Sequence, residues 1–163
     1  MQKLDIQIAV EDDGWPAEDV LETMSERILT QAAEFIAAEG QPFPPMPTEL
    51  SLVFTNDDDI RGINAEWRKQ DKPTNVLSFP AYPIVPGDRP GPMLGDIIIA
   101  RETVEREALD LGKSFNDHLT HLMVHGFLHL FGYDHMNDEE AEQMEGLETR
   151  ILASLGLSDP YAV

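Results

Sequence analysis

Alternating apolar and polar residues open the chain and predict a β-strand. The run Leu4–Val10 follows the period of two that is typical of a strand with one buried face. We predict further strands at Glu49–Thr55, Val76–Phe79 and Gly95–Ala100, and we expect Pro80 to end the third of the four. The pattern therefore indicates a sheet of about four strands.

Apolar residues at helical spacing predict about five helices. The longest is Ala17–Glu39, which ends at Gly40 and presents one apolar face to the sheet. The others begin at residue 56 or 57, 102, 114 and 138 and end near residues 67, 111, 131 and 155. A chain of 163 residues fits one compact domain. We therefore predict an α/β (α+β) fold, with a mixed sheet and its helices in one domain over residues 1–163.

Side chains suited to helix capping stand where two of these helices begin. Asn56 or Asp57 caps the second helix, and Asn137 or Asp138 caps the last. The run Asp57 to Asp59 lies at the positive end of its helix, which favours a structural role over a metal site.

The charge of the chain limits its partners. It carries 31 Asp and Glu against 11 Lys and Arg, a formal net charge of −20. This excess repels phosphate and excludes a generally basic nucleic-acid binder. Eight of the 11 basic residues lie between residues 61 and 113. We expect nearby acids to balance most of them, the alternative being a local positive wall.

The chain has no cysteine, which excludes a disulfide framework, a thiolate zinc cluster and a cysteine nucleophile. Any transition-metal site must therefore use histidines and carboxylates. The first residues lack the pattern of a signal peptide, and no apolar run approaches the roughly 20 residues that span a membrane. We expect a cytoplasmic protein.

All five histidines are concentrated in 18 residues around the fourth predicted helix, and this cluster indicates a metal site. At 100° per residue the first four lie within an arc of about 80°, on one face of the helix. The histidines are His118, His121, His125, His129 and His135.

Spacing selects three of them as ligands. His125 and His129 are one turn apart, about 6 Å along the axis, so both rings can reach one ion. The two earlier histidines of the stripe lie about 12–16 Å from His129 along the axis, which favours core or supporting roles. Gly132 allows the chain to reverse after the helix and to bring His135 back. We predict a metal site formed by His125, His129 and His135.

The string from His125 to His135 has the spacing of the zinc-protease motif H-E-x-x-H-x-x-G-x-x-H. Three neutral nitrogen donors leave a fourth position open to water, which permits hydrolysis. Gly126, however, stands where proteases carry the general base. The motif therefore argues against a protease.

The same string resembles the signature of the YbeY family, the bacterial endoribonucleases of ribosomal-RNA maturation. Two further blocks, Trp67–Pro80 and Leu94–Ala100, are similar to that family and occur in its order. The resemblance covers roughly residues 64–150. Trp67, Asn75 and His118 depart from the family pattern, and we assign them no catalytic role.

The resemblance implies a zinc-dependent endoribonuclease that is specific for single strands and has a zincin-like fold. It implies a role in maturation of the 3′ end of small-subunit ribosomal RNA and in ribosome quality control. It also implies one Zn²⁺ per chain at His125, His129 and His135, with another divalent transition metal as the alternative, and a functional arginine at Arg68. The implied partners are ribosomal RNA, the small ribosomal subunit and its basic proteins, and neither DNA nor a membrane.

Several alternatives stay open on the residues alone. Arg68 can pair with Asp71 instead of serving the site. Asp134 can orient an imidazole or cap the turn. The alternative functions are a non-catalytic zinc-binding ribosome assembly factor, in which a fourth protein ligand closes the site, and a metal-dependent hydrolase of a small substrate.

Overall fold

A four-stranded mixed sheet forms one layer of the protein, whose computed structural model describes residues 2–161. The strands lie in the order β1-β2-β4-β3. The first three in this order are mutually parallel, and β3 runs antiparallel to β4. The predicted α/β class is thereby confirmed. The strands are β1 (Leu4–Val10), β2 (Thr48–Thr55), β3 (Val76–Pro80) and β4 (Met93–Ala100).

Strand β3 includes Pro80, which we expected to lie just beyond it. Pro80 pairs with Gly95 at the end of the ladder. Because β3 is an edge strand, proline is tolerated there despite its missing N–H group.

Five helices accompany the sheet within residues 2–161, and their bounds differ from the prediction by no more than one residue. None of the helices among residues 2–161 has both the length and the apolar character needed to cross a membrane. The helices are α1 (Glu18–Ala38), α2 (Asp57–Arg68), α3 (Arg101–Leu111), α4 (Phe115–Leu130) and α5 (Asp138–Ser154).

Asparagine, rather than the aspartate after it, caps both α2 and α5. The side-chain oxygen of Asn56 accepts a hydrogen bond from the backbone N–H of Asp59 at 2.8 Å, and Asn137 does the same for α5. Asp57 is free to bind another helix, and it accepts hydrogen bonds from Thr103 and Arg106. This contact joins α2 to α3, which agrees with a structural role for the aspartate run.

Helix α4 lies at the centre of the helical layer and contacts β3, β4, α1, α3 and α5. Leu119, Met123 and Phe127 are fully buried on its core-facing side. Because α4 also carries the histidine stripe, the core fixes the position of the candidate site.

Candidate metal centre

Helix α4 lies close against the sheet at Gly126, between two of the predicted ligands. A β-carbon at this position would lie 3.0 Å from Ile97 Cγ2, 3.1 Å from Ser78 Oγ and 3.3 Å from Val76 Cγ2. The Ser78 hydroxyl donates a hydrogen bond of 3.0 Å to the Gly126 carbonyl. The position where zinc proteases carry a glutamate is therefore tightly packed, and even a β-carbon there would require its neighbours to shift.

The structure brings the three predicted ligands together. One ring nitrogen from each of His125, His129 and His135 lies within 4.8 Å of the others. The Nε2 atoms of His125 and His129 are 3.1 Å apart. Two nitrogens bound to one tetrahedral zinc ion at 2.0–2.1 Å are separated by about 3.3 Å. The observed separation is therefore compatible with a shared ion.

A tight turn after α4 brings His135 to the other two histidines. Gly132 has φ +95°, in the left-handed region, and a β-carbon there would lie 2.3 Å from the Ile84 carbonyl oxygen. The backbone N–H of Tyr133 donates to the Leu128 carbonyl at 3.2 Å, which closes the turn. Only glycine satisfies both the conformation and the contact.

His129 is held in the neutral form that a metal requires. Burial, together with the neighbouring His125 and His135, lowers its pKa to about 4. At neutral pH its ring therefore offers a lone pair. Three imidazole donors suit zinc and other divalent transition metals.

A buried carboxylate supports the first ligand. Glu148 on α5 is 0% exposed and contacts the Nδ1 atom of His125 with one oxygen. The Tyr161 hydroxyl donates to its other oxygen, and His121 Nε2 lies 3.7 Å from that same oxygen. Burial alone would raise the pKa of Glu148, but the contacts with His121, His125 and Tyr161 outweigh it and lower the pKa to about 2.

Sequence reasoning missed both Glu148 and Tyr161. The signal for Glu148 was present, since it interrupts the apolar stripe of α5. Glutamate is rarely buried without a partner, so an acidic residue in a core stripe points to a specific contact. The apolar members of the stripe are Met144, Leu147, Ile151 and Leu152.

The earliest histidine of the stripe belongs to the core contact between α3 and α4. His118 is 4% exposed, and its Nε2 atom lies 2.9 Å from the Glu107 carboxylate, which also accepts a hydrogen bond from Asn75. Burial lowers the pKa of His118, although the contact with Glu107 opposes this shift. Of the two roles expected for His118, core or supporting, this environment fits the core role.

Asp134 caps the turn before the third histidine. Its carboxylate accepts a hydrogen bond from the backbone N–H of His135 at 2.8 Å. The same oxygen is 3.8 Å from His135 Nδ1, beyond hydrogen-bond distance. Of the two alternatives for Asp134, the structure favours the cap.

The three histidines line a groove of about 610 Å³, and Arg68 lies on its wall. The Arg68 guanidinium donates to the Ser78 carbonyl at 2.8 Å and stands 5.1 Å from the centre of the Phe79 ring. Asp71 is bound instead to Arg61, at 2.9 Å. The alternative pairing of Arg68 with Asp71 is therefore not formed.

Three other arginines from the middle of the chain are paired with acids. These pairs measure 2.8–2.9 Å, so the three arginines do not contribute free positive charge. Among the described residues that line the groove, Arg68 is the one lysine or arginine. The pairs are Arg61 with Asp71, Arg101 with Asp12, and Arg106 with Asp57.

The ligand group has three members among residues 2–161. A structural zinc site uses four protein ligands, whereas a catalytic site keeps one position for water or substrate. With a cation on the wall of the adjoining groove, the arrangement can bind a substrate anion beside an activated water.

Known proteins are similar to this one along almost the whole chain. The family model described as Endoribonuclease YbeY matches residues 7–156. A protein of Allorhizobium ampelinum named Endoribonuclease YbeY is 76% identical over 162 residues, covering 99% of this chain and 97% of the relative. Its namesake from Agrobacterium fabrum is 70% identical over 163 residues, with 99% and 97% covered.

A solved structure shows a similar fold. The solution structure of a Thermotoga maritima protein superposes with a TM-score of 0.56 at 22% sequence identity. The match covers 98% of this chain and 100% of that one.

Proposed function

The chain belongs to the Endoribonuclease YbeY family, and from that premise we propose that it is a zinc-dependent endoribonuclease acting on single-stranded RNA. The observation that carries the proposal is the group of three histidines beside Arg68 in one groove. Phosphodiester hydrolysis requires an activated water and neutralisation of phosphate charge, and this arrangement supplies groups for both.

In this proposal His125, His129 and His135 hold one Zn²⁺ per chain. Zinc bound there supplies Lewis acidity and lowers the pKa of a bound water. The low pKa of His129 supports this assignment, because that ring stays neutral and able to bind at and below neutral pH. Another divalent transition metal would meet the same donors.

Arg68 is the proposed catalytic residue, and it binds the phosphate. Its contacts with Ser78 and Phe79 hold the guanidinium on the groove wall. Two parallel N–H groups of a guanidinium can bind two phosphate oxygens, which a lysine cannot reproduce. Because no carboxylate pairs with Arg68 among residues 2–161, its charge is available to the substrate.

The proposed substrate is the ribosomal RNA of the small subunit, in maturation of its 3′ end and in ribosome quality control. A groove suits a strand better than an enclosed pocket would. An acidic surface is complementary to basic ribosomal proteins, which we propose as docking partners. We propose that the whole of residues 1–163 acts as one cytoplasmic domain, without DNA or membrane partners.

Zinc titration into chelator-stripped protein, combined with cleavage of single-stranded RNA, tests the proposal. His129→Ala should lose both zinc and cleavage. Arg68→Ala should keep zinc stoichiometry and cut the cleavage rate by about 100- to 1,000-fold, the usual effect of removing a group that stabilises transition-state charge. The matched control is Arg61→Ala, which removes the same charge from the same helix outside the groove.

Wild-type cleavage by Arg68→Ala would contradict the role of this arginine. Zinc binding without any RNA cleavage by the wild-type protein would contradict the enzyme assignment and favour a non-catalytic assembly factor. Zinc binding at wild-type strength by His129→Ala would contradict the ligand set.

A further inference from the structure

Glu148 is a buried carboxylate that no lysine or arginine neutralises among residues 2–161. Taking an ionised carboxylate out of water is costly unless hydrogen bonds and opposite charge replace its hydration. Its partners are instead His121, His125 and Tyr161. A buried acid placed against a candidate metal ligand calls for a functional explanation.

The contact between Glu148 and His125 fixes the protonation pattern of the imidazole. An ionised carboxylate only accepts hydrogen bonds, so the Nδ1 atom of His125 must carry the proton. The lone pair then lies on Nε2, the atom 3.1 Å from Nε2 of His129. The carboxylate thus selects the form of His125 that can bind a metal at the shared site.

We propose that Glu148 is a positioning residue that holds His125 in the tautomer and orientation required for metal binding, and that Tyr161 holds Glu148. The inference rests on the proposed metal site. A carboxylate behind a ligating histidine orients the ring and increases the basicity of its free nitrogen.

Tyr161 completes this chain of contacts from the segment after α5. Its hydroxyl donates to the Glu148 oxygen that His125 does not use, and it lies 3.2 Å from His121 Nε2. The Tyr161 ring stands perpendicular to the His121 ring, with centroids 5.4 Å apart. Both oxygens of the carboxylate are therefore occupied, and Glu148 cannot rotate without losing a partner.

The same residues include a second group of possible metal ligands. His121, His125 and Glu148 offer ligand atoms within 4.8 Å of one another. The carboxylate, however, is in direct hydrogen-bond contact with Nδ1 of His125, which excludes a metal between these two atoms. Orientation of His125 accounts for the contact without another metal.

Zinc affinity, measured by competition with a chelating dye, tests the proposal without reference to RNA cleavage. Glu148→Gln keeps the shape but removes the charge, and it should weaken zinc binding by about 10- to 100-fold. Tyr161→Phe removes one hydrogen bond to Glu148, and it should weaken binding by about 2- to 10-fold. The control is Glu145→Gln, one turn away on α5, which should bind zinc as the wild type does.

The absorption spectrum of Co²⁺ bound in place of zinc separates positioning from a merely structural role. Glu148→Gln should shift the ligand-field bands, because the orientation of His125 changes, whereas Glu145→Gln should not. A folded Glu148→Gln with wild-type affinity and spectrum would overturn the proposal.

If Glu148→Gln fails to fold, Tyr161→Phe decides, and wild-type affinity in that variant would overturn the proposal. A wild-type protein that binds no zinc would overturn the metal site itself. The failure of the proposed function is thus distinguishable from the failure of this inference.

Discussion

At the residue scale, Gly126 sets how closely α4 approaches the sheet. The carbon added by Gly126→Ala would crowd Ile97, Ser78 and Val76 together. Ile97 is fully buried, and the Ser78 hydroxyl is hydrogen-bonded to the Gly126 carbonyl. Movement of either side chain would therefore disturb an existing contact. We expect a loss of about 1–2 kcal/mol in the free energy of unfolding, measured by urea denaturation of the metal-free protein.

Gly62→Ala is the matched control for this substitution. Gly62 lies within α2, and a β-carbon there meets nothing within 4 Å. Alanine should stabilise that helix by about 0.5–1 kcal/mol, since glycine is a poor helix former. Equal effects of the two substitutions would show that α4 is not closely packed at Gly126.

His118 should make stability depend on pH. Because burial lowers its pKa from the ordinary 6.5, the unfolded chain takes up a proton at a higher pH than the folded protein does. The contribution of neutral His118 is therefore complete above pH 6.5 and is lost as the pH falls towards the folded-state pKa. His118→Gln stays neutral and should flatten this part of the profile.

Urea midpoints of the metal-free wild type and His118→Gln, compared from about pH 8 to pH 5, measure the effect. The difference between the two proteins isolates His118 from the other histidines. A wild type that gains stability relative to the variant on acidification would reverse the sign and disprove the prediction.

The predicted metal ligands could be identified from the sequence, but the residue that contacts one of them from α5 could not. His125 and His129 are one helical turn apart, so local geometry alone predicts that they meet. Glu148 reaches His125 only because α5 packs against α4, a contact between residues 23 positions apart. No local period encodes such a contact, and only the break in the apolar stripe of α5 hinted at it.

At the element scale, the turn after α4 decides whether the third histidine reaches the site. Gly132→Ala would place a β-carbon 2.3 Å from a backbone oxygen, in addition to straining a residue at φ +95°. We expect the close contact to lower the free energy of unfolding by about 1–3 kcal/mol beyond the cost of the backbone strain. We also expect weaker zinc binding. Urea unfolding and dye competition measure the two effects.

Gly112 provides the comparison, because it also ends a helix, at φ +67°, but a β-carbon there meets nothing within 4 Å. Gly112→Ala should lower the free energy of unfolding by about 1–2 kcal/mol, the cost of placing alanine in the left-handed backbone region, and leave zinc affinity unchanged. If the two variants lose stability and zinc equally, the close approach at Gly132 has no special role.

Element bounds followed from the sequence, whereas the order of the strands did not. Periodicity and capping residues are local signals, and they located the helices to within a residue. The order β1-β2-β4-β3 depends on pairing between strands that are distant in the chain. Pro80 shows the same limit, since its place in β3 is tolerated only because that strand lies at the edge.

At the scale of the whole molecule, the charge of −20 should restrict attractive contacts with RNA to the groove beside the proposed metal. The groove offers one arginine beside the proposed metal, so few phosphates are contacted by cations. Each phosphate contact on a single strand contributes a slope of about −0.7 to the plot of log affinity against log salt. We expect the slope for kcat/KM on single-stranded RNA to be shallower than about −1.5 between about 50 and 200 mM KCl.

A broad basic surface with six or more phosphate contacts would give a slope steeper than about −4. Such a slope would contradict the prediction and show that other cations track the strand. Arg61→Ala should leave the slope unchanged, because Arg61 is already paired with Asp71.

The close packing at Gly126 also bears on how this motif is kept apart from that of the zinc proteases during evolution. Some glycine codons become glutamate codons through one base change, so the proteolytic signature can lie a single mutation away from the string His125–His135. The sheet beneath α4 opposes that change, since a β-carbon at this position would already lie 3.0 Å from Ile97 and 3.3 Å from Val76. Small shifts in β3 and β4 would therefore favour tolerance of the one-base change.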